Sequence, residues 1–206
     1  RNELQDQKNI GDTVVTTLDA DLQQAASAAL GGYKGAVVVM EPSTGKILAM
    51  VSKPDYDPNG VAANWETLNS DPDSALLNRA TQGLYAPGST FKLVTALEYM
   101  RENASYDSYS YTCTGSIQQE DTVIRCYNGH VHGTVDFRDS LAYSCNTSFC
   151  NIGLSLDVGG FRDTAEDLLF NKKLPSVLPY SKSSFTLDGS GTAADRMMTA
   201  MGQGKT

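Results

Sequence analysis

The segment Ala86-Pro87-Gly88-Ser89-Thr90-Phe91-Lys92, running into Leu93-Val94-Thr95-Ala96-Leu97-Glu98-Tyr99-Met100, constrains this chain more than any other stretch. Pro87 and Gly88 are turn formers, and Leu93, Ala96, Leu97 and Met100 then recur at helical spacing. The pattern predicts a mostly buried helix with Ser89 in its first turn, where backbone N–H groups lack partners and the dipole is positive. Lys92 falls on the same face one turn later. A hydroxyl beside an amine becomes a nucleophile when burial depresses the amine's pKa, because the amine then takes the hydroxyl proton. S-x-x-K is nevertheless common, and an N-capping serine beside a solvated lysine spells the same letters.

The surrounding words decide between these readings. Ser144-Cys145-Asn146, an S-x-N triplet, follows the helix-like Asp136–Tyr143. Upstream lie the hairpin-like Lys34–Met50 with E-P-S-T-G-K-I-L-A-M, then Pro54–Asn59 (P-D-Y-D-P-N) and Asn78–Lys92 (N-R-A-T-Q-G-L-Y-A-P-G-S-T-F-K). Together with Ser144–Phe149 (S-C-N-T-S-F), this series resembles the transpeptidase domain of penicillin-binding proteins, most of all the monofunctional class B kind, from about Thr13 onward. S-x-x-K and S-x-N are two of the three boxes of the serine-acylation set. The third, K-[ST]-G, does not occur after Asn146. The ending Met201-Gly202-Gln203-Gly204-Lys205-Thr206 is similar to the family's G-Q-G segment, which precedes that box. The expectation is therefore residues 1–12 as a linker remnant and 13–206 as the N-terminal part of a transpeptidase domain. The resemblance implies an α+β, penicillin-binding/serine β-lactamase-like fold, incomplete here: a helical subdomain plus a β-hairpin of the central sheet.

The same resemblance implies a peptidoglycan D,D-transpeptidase acting through an acyl-enzyme on Ser89. Lys92 would be the base, Ser144 a proton relay, and Asn146 the holder of the substrate amide and of Lys92. Implied partners are stem peptides ending in D-Ala-D-Ala, β-lactams that mimic them, and a membrane glycosyltransferase. No metal or organic cofactor is implied for the reaction. The implied location is the extracytoplasmic face of the bacterial membrane, with the anchoring helix absent from this chain. The family's oxyanion hole pairs the nucleophile's N–H with one from the third-box strand, and losing one such donor costs on the order of 10²–10³ in rate. This chain alone is thus expected to acylate very slowly or not at all. A β-lactam sensor domain and a noncatalytic cell-wall scaffold are the alternatives.

Composition excludes other classes. Charged residues at 19% and hydrophobic ones at 40% fit a globular domain, and a net charge of −8 without a basic cluster speaks against nucleic acid. No apolar run approaches the ~20 residues that span a bilayer.

Taken in order, Arg1–Ile10 is polar, and Gly11–Thr17, through Val14 and Val15, reads as a short strand. Asp19 caps a helix to about Leu30, with Leu22, Ala25, Ala26 and Ala29 on one face and Gly31-Gly32 as the stop. Ala36–Glu41 and Lys46–Ser52 form a hairpin whose nearly unbroken apolar runs suit a sheet covered on both faces. Lys53–Gly88 is a long polar loop anchored by Trp65, Leu68, Leu76 and Leu77, and its Glu66-x-x-Asn69 is read as chance. Cys113, Cys126, His130 and His132 leave a disulfide, free thiols and a metal loop open, while Cys145 and Cys150 are expected in the core. Thr147–Leu156 and Asp163–Phe170 read as helices separated by Gly159-Gly160. Asn171–Thr186 reads as extended and Ala193–Met201 as a methionine-rich core helix. Gly204-Lys205-Thr206 is no phosphate loop, because Thr199 stands where that motif needs glycine.

Overall fold

Asp19 starts the first element. Its carboxylate accepts the Asp21 and Leu22 amides at 3.0 Å, and Gly31, at φ 55°, ends helix α1 (Ala20–Leu30). The computed structural model describes residues 11–206, so the expected linker Arg1–Ile10 lies outside the described residues. The chain divides into two units between Gly83 and Leu84.

In the first unit, α1 packs on an antiparallel hairpin of β1 (Gly35–Glu41) and β2 (Lys46–Lys53), with a bulge between Val39 and Met40. The buried set is Ala26, Ala49 and Val51, joined by Leu30, Val37 and Val39. Gly11–Thr17 does not form the expected strand, and Val14 and Val15 are 79% and 90% exposed. Other groups satisfy the β2 edge instead. The Thr17 hydroxyl donates to Ile47 O at 2.6 Å, the Asp19 amide to Leu48 O at 2.8 Å, and the Gln23 side chain makes two 2.8 Å bonds with the Met50 backbone. Gln23 thus takes inward space on α1, leaving Leu22, Ala25 and Ala29 exposed while Ala26 is buried. The other hairpin face is covered only in part: the Leu77–Arg79 segment reaches Met50 and Ser52, while Val38 and Met40 remain exposed. The following loop carries short helices α2 (Trp65–Asn69) and α3 (Arg79–Gln82). Trp65 is exposed rather than an anchor. Buried Arg79 ties the loop instead, its guanidinium donating to the carbonyls of Ser74 and Asp73.

The second unit is built around α4 (Lys92–Glu102), reached through a 3₁₀ turn over Gly88–Phe91. Then come β3 (Ser110–Cys113), β4 (Ser116–Gln119), β5 (Thr122–Arg125) and β6 (Gly133–Asp136), paired antiparallel as β3–β6 and β4–β5. Helices α5 (Phe137–Ala142), α6 (Asn146–Ser155), α7 (Val158–Asp167) and α8 (Ala193–Ala200) complete it. Its core gathers Phe91, Phe149, Ile152, Phe161, Phe185 and Leu187. Phe185 and Leu187 are delivered by the extended segment before α8, and Phe161 meets Phe185 edge-on at 5.2 Å. A Cβ at Gly153 would sit 2.4 Å from Ala200 Cβ, so glycine sets the close approach of α6 to α8.

Two expectations fail here. Gly159-Gly160 do not separate helices: they lie in the first turn of α7, where the Asp157 carboxylate caps the Gly160 amide at 2.7 Å. A Cβ at Gly160 would lie 2.2 Å from Glu98 Oε1, so the glycine serves packing against α4. On α4 itself the buried positions are Lys92, Val94, Thr95, Ala96 and Glu98, whereas Leu93, Leu97 and Met100 are exposed. Polar side chains can take the inward face because each is satisfied: Thr95 donates to Ala200 O at 2.9 Å, and the Thr164 hydroxyl donates to Glu98.

Candidate active site

The residues between Pro87 and Lys92 wind as a 3₁₀ turn rather than as the first turn of an α-helix. With three residues per turn, positions i and i+3 eclipse, so Ser89 and Lys92 stand directly in line. The Lys92 Nζ lies 3.3 Å from Ser89 Oγ. The turn is held from outside: the Gly88 amide, at φ 59°, donates to Gly202 O at 2.9 Å. Gly202 itself has φ 76°, and a Cβ there would lie 2.1 Å from Gly88 O. In the sequence Gly202 belongs only to the G-Q-G motif; in the structure its carbonyl positions the nucleophile's turn.

The S-x-N triplet is presented by the end of α5. The Ser144 amide donates to Leu141 O at 3.0 Å and the Cys145 amide to Ser140 O at 2.9 Å, the paired bonds of a Schellman ending. The left-handed position of that motif favours glycine, yet Ser144 occupies it at φ 51°. The backbone then enters α6 at Asn146. Lys92 Nζ is thereby surrounded by Ser144 O at 2.8 Å, Ser144 Oγ at 3.0 Å and Asn146 Oδ1 at 2.7 Å. The four residues singled out from the sequence, Ser89, Lys92, Ser144 and Asn146, converge on one amine.

Lys92 is 0% exposed, and none of the ion pairs among the described residues includes it. The Phe149 ring lies 5.5 Å from its Nζ. Burial, the dominant influence, lowers its pKa from the ordinary lysine range, and the nearby thiols of Cys145, Cys150 and Cys126 act in the opposite direction. A neutral amine has two N–H donors and one lone pair. Ser144 O and Asn146 Oδ1 can only accept, so they take the two donors and leave the lone pair for a hydroxyl proton. Asn146 is oriented by its own amide, which donates to Arg125 O at 3.0 Å. Ser89, Ser144 and Asn146 open onto a cleft of about 470 Å³, walled by Tyr127, His130 and Tyr143. That volume suits a small peptide or a drug-sized molecule.

Behind the same turn, Cys145 points away from the cleft. Its Sγ lies 3.9 Å from Cys126 Sγ, which is 3.7 Å from Cys113 Sγ, and Cys113 Sγ is 3.4 Å from His132 Nδ1. These four ligand-type atoms lie within 4.8 Å of one another and are the residues able to hold a metal. His130 is not among them; Cys145 is, and it is also fully buried, as expected, in a core cluster with Cys113 and Cys126. All four cysteines are free thiols. Burial pushes the Cys145 thiol up to about 11 and the Cys150 thiol to about 12, which favours the protonated form of both.

A serine on a tight turn, facing a buried amine and an S-x-N box, defines the serine-acylating class. The model of the penicillin binding protein transpeptidase domain matches residues 35–206, and the chain belongs to that family. It is 35% identical over 210 residues to the peptidoglycan D,D-transpeptidase PbpA of Mycolicibacterium smegmatis, covering 94% of this chain and 43% of that protein. It is 34% identical over 159 residues to the peptidoglycan D,D-transpeptidase MrdA of Escherichia coli, covering 72% of this chain and 24% of that protein. Penicillin-binding protein A of M. tuberculosis, solved as a ceftriaxone acyl-enzyme complex, superimposes with a TM-score of 0.86 at 32% identity, over all of this chain and 50% of that one. The D,D-transpeptidase domain of a peptidoglycan glycosyltransferase from Eggerthella lenta does so with a TM-score of 0.80 at 33% identity, over 90% and 45%. The chain thus spans less than half the length of the curated relatives it matches. The fold is the α+β fold of these transpeptidase domains, represented in part.

Proposed function

We propose that this chain carries the nucleophile-bearing part of a peptidoglycan D,D-transpeptidase that β-lactams acylate. The observation that carries the reading is Lys92, an amine held without a counter-charge 3.3 Å from the exposed Ser89 hydroxyl. Ser89 Oγ attacks the carbonyl carbon of the penultimate D-alanine as its proton passes to Lys92 Nζ. The C–N bond to the terminal D-alanine then breaks, and Ser144 Oγ, 3.0 Å from Lys92, hands the proton to the leaving amine. An amine of a neighbouring stem peptide attacks the ester and releases Ser89. Asn146 holds the substrate amide and fixes one N–H of Lys92. Action at the extracytoplasmic face of the membrane, beside a glycosyltransferase, follows from the cell-wall substrate.

K-[ST]-G is not among residues 147–206. The test therefore uses a fluorescent penicillin on this chain and on a longer form that carries the box, with the adduct mapped by mass spectrometry. Labelling on Ser89 in the longer form, and far slower labelling of the 206-residue chain, is the expected result. A longer form that is folded, holds the box and takes no label would overturn the assignment in favour of a noncatalytic scaffold.

A further inference from the structure

Ser140 on α5 and Ser148 on α6 stand four residues before and four residues after Ser144, and both are 0% exposed. Their hydroxyl oxygens lie 2.7 Å apart across the junction of the two helices. The Ser140 hydroxyl also sits 2.6 Å from Asp136 O, where it must donate, because a carbonyl only accepts. Its one proton is thereby used, so the proton in the 2.7 Å contact comes from Ser148. Ser148 Oγ in turn accepts from the Tyr109 hydroxyl at 3.0 Å, and the Tyr109 oxygen accepts from the Asn151 side-chain amide at 3.2 Å. Burial raises the pKa of Tyr109, which keeps that phenolic proton in place. The hydroxyls thus form one chain with one direction, from Asn151 through Tyr109, Ser148 and Ser140 to Asp136 O. Every hydroxyl proton in it has an acceptor, and a satisfied buried network of this kind holds its members to a single geometry.

We propose that Ser140 and Ser148 are positioning residues that clasp α5 to α6 and so hold Ser144 and Asn146 against Lys92, an inference that rests on the acylation role proposed above. Only Tyr143, Ser144 and Cys145 connect the two helices. Closing the helices at Ser140 and Ser148 therefore leaves the backbone between them few shapes. Ser144 stands at φ 51°, a conformation that a residue with a β-carbon keeps only where its surroundings over-determine it. The backbone bonds at the end of α5 set the turn itself, and the clasp sets the separation of the helices that flank it. What this fixes is the direction of Ser144 O and Asn146 Oδ1, 2.8 and 2.7 Å from Lys92 Nζ, and through them the lone pair aimed at Ser89. Neither serine lines the cleft, so both act through the turn and not on the substrate.

Two variants separate positioning from stability. Ser140→Ala leaves the buried Ser148 proton without its acceptor. Ser140→Ala/Ser148→Ala removes both partners, and Tyr109 then donates to Ser148 O, already 3.2 Å away. In denaturant melts the double variant should be the more stable of the two. Its amide exchange at residues 144–146 should nevertheless be faster than wild type by about tenfold or more. In the longer, box-bearing form the double variant should acylate with a maximal rate lower by about tenfold or more, while the penicillin concentration for half-maximal rate changes little. Wild-type exchange at 144–146 in the folded double variant would overturn the clasp, as would a maximal rate that recovers along with stability. A double variant less stable than Ser140→Ala would overturn the direction of the hydroxyl chain. Exchange needs no antibiotic, so a folded wild-type longer form that takes no label would strike the transpeptidase reading while exchange still decides the clasp.

Discussion

The Gly202 carbonyl accepts the Gly88 amide at 2.9 Å, which ties the chain after α8 to the turn that carries Ser89 across more than a hundred residues of sequence. The bond is short because Gly202 has no side chain: any Cβ would fall 2.1 Å from Gly88 O and 2.7 Å from Phe91 Cβ. Gly202→Ala must therefore displace the turn, on top of placing a β-carbon at φ 76°. The expected loss is about 1–3 kcal/mol of stability, with penicillin labelling of Ser89 falling further than the unfolded fraction accounts for. Thermal melts and labelling on the same sample separate the two effects.

Ser144 occupies a position where glycine is conformationally better. Ser144→Gly is expected to leave folding stability unchanged or raise it by up to roughly 1 kcal/mol, while labelling falls by about 10²-fold or more through loss of the proton relay. A parallel loss of stability and labelling would show that the hydroxyl acts structurally.

The depressed pKa of Lys92 gives the pH dependence a sign. The amine is the acting form, so labelling should rise with pH through the lowered pKa and reach its plateau below the ordinary lysine value of 10.5. Stability linkage runs the same way. Between the lowered pKa and 10.5 the unfolded chain binds more protons at this position, so its contribution to folding improves as pH rises across that window. Stopped-flow labelling across pH checks the first statement, and denaturant melts of wild type against Lys92→Met check the second.

Asn146→Asp places a carboxylate where an amide oxygen now sits 2.7 Å from the amine. The charge favours the ammonium, so the labelling profile should move to higher pH and the rate at neutral pH should fall by at least an order of magnitude. The side chain also loses its donor to Arg125 O. An unshifted profile with a uniformly lower rate would mean that only the orientation was lost.

Gly153→Ala tests packing without touching the cleft. The new Cβ would meet Ala200 Cβ at 2.4 Å, so α6 and α8 must separate, at a cost of about 1–3 kcal/mol. Chemical denaturation should report that cost.

Where local chemistry fixes the backbone, the sequence was readable. Asp19 as a cap, Gly31 as a stop and the β1–β2 turn all appear within a residue of their expected places. The Ser89, Lys92, Ser144 and Asn146 convergence was legible through the spelling of the boxes, not through periodicity. Features decided by a distant partner were not. The inward face of α4 is not the one its apolar spacing suggests, because Lys92, Thr95 and Glu98 find partners at Asn146, Ala200 and Thr164 that spacing cannot show. Gly159-Gly160 looked like a break because the nearby Glu98 side chain, which demands a small residue, comes from another helix. Cys145 is in the core as its sequence suggests, but its neighbours there, Cys113, Cys126 and His132, come from other strands and turns that spacing cannot show.

The Ser144–Asn146 peptide faces two clients, with an amine on one side and sulfur on the other. A substitution in this strip therefore meets two demands at once: a change made on the amine side must also suit the thiols behind it. Freedom lies at the rim instead. Tyr127, 83% exposed, and the neighbouring Asn128 border the cleft without entering either network. Substitutions there reshape the cleft while leaving the hydrogen bonds around Lys92 and the thiols in place.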